Sequence, residues 1–501
     1  MTLDLRGQDG WSVTYEAGPR KRTVMDLVER PAGDLLVATL TDGSSIPAGP
    51  PFVSTIRQVS AQGVLGAEHE VLMGSDWSVL MTDLEQFPGG EVVSVAAARY
   101  QPTMSDHQVL VHAIADGGSL SLLLQHGIDE SMGGIWHLSA RAYLDDGLLI
   151  SGSLWAPGSP VPNLFLLLRT ELQGELTTAV VHGTALGFRV GRHAFLAADG
   201  TVRASMNGSI PEGPFASASI LRFAPDLTYL DGFAITALSG SGGVHPLDSI
   251  IRDDLYMTPL AGDTLVVSGR FGDLTQGMRA ALVRLAPDGS FAGTFLPRSE
   301  FEHDLVAYRQ GHDMTPDGQI LFATFENFYP GPPDPELSTV PSRIRVHRLD
   351  TLLNPQCEYL VDGFSDNAYY YLTRIKATSD GGVLLMGSRR DLNTMGPPQG
   401  WLMKLDPAEC MPLGVEEGRF AHGVEVFPNP GRDGFTVVVN GPALHGARLE
   451  LFDAMGAHVR SAAMPTNTAR VDAHDLASGL YVYRITGRDG RLLGSGRWVR
   501  E

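Results

Sequence analysis

The sequence predicts an all-β protein, a seven-bladed β-propeller followed by a small C-terminal immunoglobulin-like β-sandwich. Two sequence markers recur in step along most of the chain, and a run of short alternating strands follows them. The 501 residues include 58 glycines and 32 prolines and are 43% hydrophobic, which supplies many turns and enough apolar surface for a core. We expect the propeller at 1–414, a linker at 415–423 and the C-terminal domain at 424–501.

The first marker is a glycine-containing turn followed by an apolar strand, as in Asp317-Gly318-Gln-Ile-Leu-Phe-Ala. Glycine provides the positive φ that tight turns need, and the apolar run that follows is typical of a buried strand. The spacing between successive copies is 53 to 64 residues. The marker glycines are Gly33, Gly90, Gly147, Gly200, Gly262, Gly318 and Gly382.

The second marker is a basic residue after an apolar strand, and it keeps the same spacing. Its copies are Arg57, His112, Arg169, Arg222, Arg284, Arg348 and Lys404. Two strand markers in each unit, with room for two further strands, indicate a four-stranded blade with strands a to d. Seven blades closed into a ring would leave no exposed sheet edges, and we expect Trp11 to Glu16 to complete the last blade.

The connections between strands b and c are longer than the marker turns and carry prolines and aromatic residues. Because binding residues tend to lie on loops held by a rigid scaffold, the b/c face is the predicted binding face, for a glycan or a protein ligand. The alternative is that these connections are solvent-exposed spacers. The contact candidates are Trp155, Phe215, Tyr329, Asp334, Arg389 and Arg390.

Composition and motifs exclude several functions. A formal net charge of −20 argues against nucleic acid as a partner, and no apolar run is long enough for a transmembrane helix. The pairs His303-Asp304 and His312-Asp313 lack an identifiable third ligand, so no metal site is predicted. Since GxSxG and HExxH motifs are absent, we predict no catalytic residue and no cofactor.

The two cysteines lie in corresponding places of the last two units. Cys357 follows Asn354-Pro355, and Cys410 follows Asp406-Pro407, so both belong to predicted turns between strands c and d. An even pair in an oxidising compartment favours a disulfide. Two unpaired thiols are the alternative, because neighbouring blades can hold the Cα atoms beyond about 7 Å.

The tail after residue 424 alternates apolar and polar residues, as strands with one buried face require. Pro428-Asn429-Pro430 removes two backbone donors and therefore begins a strand at a turn. Polar and glycine residues at 453–456 and 488–490 are suited to tight hairpins. An ordinary immunoglobulin-like accessory domain is the alternative interpretation.

The tail resembles the C-terminal sorting domain of type IX secretion substrates in Bacteroidota, with three motifs in that family's order. The matching positions are Pro428, Asn429, Pro430, Phe452, Asp453, Gly456, Val459, Leu476, Gly479, Tyr481, Val499 and Arg500. The resemblance implies that the type IX machinery is a partner and that the protein is secreted or held at the outer-membrane surface. This route needs a secretory signal peptide, whose basic start and apolar core are not seen in MTLDLRGQDGW.

The repeat region resembles propeller-like regions of secreted Bacteroidota proteins, most closely at Asp380 to Ser388 and at Trp401 to Asp406. This resemblance implies a fold and no chemistry. Three functions therefore remain open. The preferred one is a non-enzymatic binding or adhesion protein, the second is a hydrolase or lyase with its active site at the propeller mouth, and the third is a structural envelope component.

Overall fold

A computed structural model describes most of the chain, in two compact units, Met1–Pro412 and Leu413–Glu501. The described residues are 10–15, 18–42, 51–103, 106–128, 134–143, 147–155, 164–171, 176–183, 190–207, 218–235, 255–271, 279–297, 299, 301, 304–327, 338–412, 424–439, 447–453, 457–487 and 492–501.

The first unit begins with β1 (Trp11–Tyr15), which belongs to the last of its sheets. The chain then forms consecutive antiparallel four-stranded sheets. Sheet 1 contains β2 (Arg22–Glu29), β3 (Leu35–Thr41), β4 (Val53–Val59) and β5 (Leu65–Glu70). Sheet 2 contains β6 (Trp77–Gln86), β7 (Val92–Tyr100), β8 (His107–Ile114) and β9 (Leu120–Ile128). Sheet 3 contains β10 (Gly134–Tyr143), β11 (Gly147–Trp155), β12 (Leu164–Glu171) and β13 (Leu176–Gly183).

The next three sheets follow the same pattern, with one addition. Sheet 4 contains β14 (Val190–Leu196), β15 (Val202–Asn207), β16 (Ala218–Phe223) and β17 (Tyr229–Ala234). Sheet 5 contains β18 (Tyr256–Pro259), β19 (Leu265–Phe271), β20 (Arg279–Leu285) and β21 (Phe291–Phe295). Sheet 6 contains β22 (Asp304–Val306), β23 (His312–Met314), β24 (Ile320–Glu326), β25 (Arg343–Leu349) and β26 (Pro355–Asp362). Its first strand is thus divided into β22 and β23, which both pair with β24.

Sheet 7 joins the two ends of the first unit. After the short helix α1 (Gly363–Asp366), the chain forms β27 (Ala368–Ala377), β28 (Val383–Asp391) and β29 (Gln399–Leu405). The N-terminal β1 pairs antiparallel with β29 and buries Trp11, Val13 and Tyr15, in agreement with the predicted completion of the last sheet. Each sheet contacts the next, and sheet 7 contacts sheet 1, so the first unit closes on itself.

The sequence markers have definite places in these sheets. Every marker glycine lies between the first and second strands of its sheet or begins the second, and every basic marker lies on the third strand. Gly33, Gly90 and Gly318 have φ of 80°, 96° and 81°, which explains why glycine recurs at these turns. The all-β prediction is confirmed, and the succession of four-stranded sheets is propeller-like.

A disulfide fastens the end of the first unit to sheet 6. Cys357 on β26 is bonded to Cys410, with the two Cα atoms 5.5 Å apart. Directly after Cys410, the short strand β30 (Met411–Pro412) pairs with β26. The chain therefore leaves sheet 7 and returns to the outer edge of sheet 6 before the first unit ends.

The second unit consists of two sheets around one core. One sheet contains β31 (Val424–Phe427), β32 (Gly434–Val439) and β35 (Thr468–Asp472). The other contains β33 (Ala447–Phe452), β34 (His458–Met464), β36 (Gly479–Thr486) and β37 (Leu492–Arg500). The core combines alternate residues of both sheets, including Phe435, Leu449, Tyr483 and Trp498. Within the described part of the whole chain, no helix has the length and apolar character needed to cross a membrane.

Candidate functional site

The first strands of the seven sheets bring charged and polar side chains together, and we call this group the central cluster. It includes at least one residue from every sheet. Its members are Asp26, Asp83, Glu85, Arg141, His193, Tyr256, His312, Asp313, Arg374 and Lys376. Four of them directly follow a β-bulge in the first strand, and such bulges commonly re-aim the side chains beside them. These four residues are Asp26, Asp83, His193 and Arg374.

Contacts in the central cluster join sheets that are not neighbours. Arg141 of sheet 3 donates a hydrogen bond to the Tyr256 hydroxyl of sheet 5. Arg374 of sheet 7 forms an ion pair with Asp83 of sheet 2, which is not a neighbour of sheet 7. It forms a second one, at 3.5 Å, with Asp26 of the neighbouring sheet 1. Because the sheets follow one another around a closed ring, such contacts place these side chains at its centre.

The four carboxylates of the central cluster also bind the sheets to each other. Each accepts a hydrogen bond from a backbone N–H on the first strand of the following sheet, at 2.8 Å for Leu84 to Asp26 and for Ala377 to Asp313. The donor and acceptor pairs are Leu84 to Asp26, Ala140 to Asp83, Ala142 to Glu85 and Ala377 to Asp313. These bonds give the carboxylates a structural role whatever else they do.

The surroundings separate the pKa values of these carboxyl groups. Burial acts to raise the pKa of Asp26, but attraction to Arg374 and Lys376 and two backbone hydrogen bonds outweigh it, so the pKa is lowered. Burial raises the pKa of Glu85 and of Asp313, and the nearby cations only partly offset this. The cluster therefore combines a carboxylate that stays ionised with two carboxyl groups that retain a proton more readily.

Two histidines of the central cluster are neutral. Burial, with repulsion from Arg141, lowers the pKa of His312 to about 3 and also lowers that of His193. His193 Nε2 accepts a hydrogen bond of 3.1 Å from Arg141 Nε, while neither nitrogen of His312 has a hydrogen-bond partner among the described residues. Within the same described ranges, no group of three potential ligands could hold a metal ion.

A second group of side chains lies at the end of sheet 6 where β24 and β25 are connected, and we call it the aromatic–arginine surface. Phe301 and Phe364 stack with centroids 5.6 Å apart and an interplanar angle of 11°. The Arg343 guanidinium lies over both rings, at 5.7 and 5.5 Å from their centroids. Phe364 remains 42% exposed, so this surface can be reached from solvent.

Two of the predicted contact residues, Arg389 and Arg390, lie near the end of β28 in sheet 7. The Arg389 guanidinium lies over the ring of Tyr370, 5.7 Å from its centroid, and Nε donates to the Tyr370 hydroxyl at 3.4 Å. Arg390 donates to the backbone oxygens of Ser338 and Gly396, at 3.0 and 3.1 Å. Arg390 therefore organises neighbouring loops, whereas Arg389 covers an aromatic side chain.

The other predicted contact residues are less fully placed. Trp155 ends β11, and Phe215, Tyr329 and Asp334 lie outside the described residues. Of the four histidine and aspartate residues considered for a metal, His303 lies outside the described residues. Asp304 is buried, 2.9 Å from Arg279 and 2.8 Å from the Ser299 hydroxyl, as a structural carboxylate would be.

The sequence motifs gave no indication of the central cluster, although one signal points to it. Asp26 and Asp83 are 57 positions apart (83 − 26), the same interval as Gly33 and Gly90 (90 − 33). A charged residue kept at one position of successive repeats, within an otherwise apolar strand, is the pattern that would reveal a polar centre. The pair His312-Asp313 was considered for a metal site, but residues of other sheets surround it in the structure.

In the second unit, residues of the first and last tail motifs lie together. Asn429 and Pro428 contact the end of β37, which carries Val499 and Arg500. Tyr481 on β36 is buried and donates its hydroxyl to the Ala477 oxygen at 2.7 Å. Phe452, Asp453, Val459, Leu476 and Gly479 belong to β33, β34, β36 or the residues beside them, and Gly456 lies outside the described residues.

The chain was compared with known protein families, curated proteins and solved structures. Residues 425–493 match the family model described as "Secretion system C-terminal sorting domain". No curated protein matches. Among solved structures, a protein of unknown function from Dyadobacter fermentans has a TM-score of 0.42 and 11% identity, covering 79% of this chain and 97% of that one.

Two further structures have known roles in their own organisms. An α-L-arabinanase from Penicillium chrysogenum has a TM-score of 0.39 and 14% identity, covering 70% of this chain and 94% of that one. PorZ, a surface component of the type IX secretion system of Porphyromonas gingivalis, has a TM-score of 0.23 and 12% identity, with 99% and 84% covered. The tail match confirms the predicted sorting domain. The second unit of this chain is a type IX secretion sorting domain, and the protein is exported to the cell surface or secreted.

Proposed function

We propose that this protein is an exported binding protein of the cell surface, which holds a glycan at the aromatic–arginine surface. In this proposal the first unit, residues 1–414, is a seven-bladed β-propeller. Residues 415–423 link it to an immunoglobulin-like β-sandwich at 424–501, which directs export and is not needed for binding. The observation that carries the binding function is the stacked Phe301–Phe364 pair, whose Phe364 ring is exposed, with Arg343 lying over it.

The chemistry of this surface suits a sugar. Pyranose rings present C–H groups on one face and hydroxyls around their edge, so they fit an aromatic ring with hydrogen-bonding groups beside it. Phe364 supplies an exposed ring, and Arg343 lies 3.5 Å from Asp362 and 3.8 Å from Glu326, so donors and acceptors adjoin the ring. A few polar groups converging beside aromatic side chains are typical of small-ligand sites.

The predicted contact residues of the b/c face remain part of this proposal. Tyr329 and Asp334 belong to the connection between Glu326 and Arg343, the two strand ends that adjoin the surface. Arg389 lies over Tyr370, whose hydroxyl also donates to Asp366 in the helix that carries Phe364. We include these three residues as secondary contacts, and assign Trp155 and Phe215 no role in this surface.

Binding is tested with the full chain on a glycan microarray. We expect the wild-type protein to retain a restricted set of glycans, and Phe364→Ala to weaken binding by at least about tenfold, as for an aromatic hot spot. Leu122→Ala is the matched control, because Leu122 is also an exposed apolar residue of the first unit. Equal binding by Phe364→Ala and the wild-type protein, or retention of no glycan, would contradict the proposal.

The central cluster favours a hydrolase as a second candidate function. Enzymes that cleave glycosidic bonds use two carboxyl groups whose pKa values are set apart by their surroundings. Glu85 and Asp313, whose pKa values are raised, lie on sheets 2 and 6, and Arg141 of sheet 3 is near both. In this alternative one of them protonates the leaving oxygen, and an ionised carboxylate assists the attacking water.

A panel of 4-nitrophenyl glycosides tests this alternative, with release of 4-nitrophenolate as the readout. If the protein is a hydrolase, Glu85→Gln or Asp313→Asn lowers the rate by at least about a hundredfold, the usual contribution of a general acid or base. Arg222→Ala, in an exposed ion pair far from the cluster, serves as the control. If the wild-type protein releases no more 4-nitrophenolate than Glu85→Gln does, the hydrolase function is rejected for these substrates.

A further inference from the structure

The side chain of Asn429 forms hydrogen bonds with the outer edge of β37, as the backbone of a neighbouring strand would. Its Oδ1 accepts a hydrogen bond of 3.0 Å from Val499 N, and its Nδ2 donates one of 2.9 Å to Arg497 O. The backbone N–H and C=O groups of residues 498 and 500, which alternate with these, face β36 at the other edge of β37. An asparagine amide offers one donor and one acceptor suitably placed for this pairing, which gives a physical reason for an asparagine at this position of the first motif.

Further bonds join the same two segments. Gly431 N donates to Val499 O at 2.9 Å, and Glu501 N donates to Gly431 O at 3.0 Å. The Trp498 indole donates to Pro428 O at 3.0 Å, and its ring is fully buried in the core. The first and last sorting motifs, 70 residues apart in the case of Asn429 and Val499, are therefore one continuous structure. We call it the motif junction, comprising Phe427–Arg432, Leu480 and Arg497–Glu501.

The motif junction also carries the exposed apolar side chains of this unit. In the described part of residues 413–501, three large hydrophobic side chains are exposed, Phe427 at 51%, Leu480 at 42% and Val499 at 38%. Leu480 and Val499 are direct cross-strand partners, and Phe427 precedes Pro428. Adjacent exposed apolar side chains, such as those of Leu480 and Val499, are a feature of interaction sites. Arg432 and Arg497 are exposed at its border.

We propose that the type IX secretion machinery recognises the motif junction as a folded surface, through an apolar contact bordered by acidic groups. The inference rests on the sorting-domain match and adds the location of the contact. Neither motif alone contains all of the surface, since Leu480 and Val499 belong to the last motif. Phe427 adjoins the first motif, whose Asn429 amide holds the two motifs together. The machinery thus recognises a surface that exists only in the folded domain, and a peptide of either motif alone would not direct export.

The test is fractionation of cells that have a type IX system and express the full chain. We expect Leu480→Ser/Val499→Ser to lower the exported fraction by at least about tenfold, as for residues at the centre of an interface, with the protein retained in the periplasm. Leu122→Ser is the matched control, an exposed strand leucine of the first unit. Thermal unfolding of the purified double variant checks that the domain still folds, as expected for two exposed positions.

Two further arms separate the possible outcomes. Removal of residues 424–501 should abolish export, and if it does not, the sorting role itself is wrong. If that truncation is retained while Leu480→Ser/Val499→Ser is exported like the wild-type protein, sorting stands and the motif junction is not the contact. Size-exclusion chromatography tests the other possible partner of the motif junction, which is a second copy of the chain. A variant that loses self-association but is exported normally also overturns the proposal.

Discussion

The central cluster and the aromatic–arginine surface use similar residue types in opposite ways. In the centre, Arg374 is buried and neutralises two buried aspartates, Asp26 and Asp83. At the surface, the Arg343 guanidinium lies over two phenyl rings, one of them well exposed. Removing a central charge leaves an uncompensated ion in a low-dielectric interior, whereas removing a surface group leaves water to replace it. The comparison teaches that stability depends more on the first region than on the second, where we propose that a ligand binds.

Replacing Arg374 by methionine should have the largest effect on stability. We expect the free energy of unfolding to fall by about 3 to 5 kcal/mol, the usual cost of breaking a buried ion pair by removing one partner. Urea denaturation of the full chain provides the measurement. The control is Arg222→Met, because Arg222 and Asp231 form an exposed pair for which about 1 kcal/mol or less is expected. Equal losses in the two variants would remove the distinction between centre and surface.

A double variant sharpens the same comparison. Asp83→Asn removes the charge that Arg374→Met leaves without its partner, so the loss in Arg374→Met/Asp83→Asn should be smaller than the sum of the two single losses. Coupling energies for residues in direct contact are about 0.5 to 3 kcal/mol. Strictly additive losses would mean that the two side chains do not act as a pair.

Much of the fold was predictable because each repeat needs the same residue types at its turns and strands. Five of the seven marker glycines have positive φ, which few other residues adopt, so glycine recurs at similar intervals and shows where the second strand of each sheet begins. The pairing of the N-terminal strand with the last sheet was predictable from ring closure, since the other end of the chain can supply the last strand. The first sorting motif was recognisable since the Asn429 side chain makes two specific hydrogen bonds with the last strand.

The central cluster was not predictable from motifs, because it exists only after the ring has closed. Arg374 and Asp26 are 348 positions apart (374 − 26), and bulges that no residue type specifies direct both side chains. The aromatic–arginine surface combines Phe301 before β22, Arg343 at the start of β25 and Phe364 in α1. The prediction of a binding face from loop length names the b/c connections, beside which this surface lies, but it could not supply those residues.

The buried His312 should make stability depend on pH in a defined direction. Its pKa is about 3 in the folded protein and about 6.5 when unfolded, so the unfolded chain binds an additional proton below pH 6.5. The stabilisation is fully present above pH 6.5 and is lost as the pH falls from 6.5 towards 3. Raised pKa values of Glu85 and Asp313 act in the opposite sense, so the wild-type protein alone does not isolate this contribution.

A comparison with His312→Gln isolates it, since the carboxyl groups are common to both proteins. Between pH 7 and pH 5.5 we expect the wild-type protein to lose about 1 kcal/mol more than the variant. Chemical denaturation at the two pH values measures both losses. The same decrease in the two proteins would show that His312 is already able to take up a proton in the folded state, contrary to its burial in the centre.

The smallest expected effect is that of Phe364→Ala on stability, and it completes the comparison between the two regions. Because Phe364 is 42% exposed and belongs to a four-residue helix, its removal should cost no more than about 1 kcal/mol. Phe322, a fully buried phenylalanine of sheet 6, is the matched control, for which truncation to alanine should cost about 3 to 5 kcal/mol. Both variants are measured by urea denaturation. A large loss for Phe364→Ala would mean that the ring supports the fold, in which case reduced glycan binding by this variant could not be assigned to the surface.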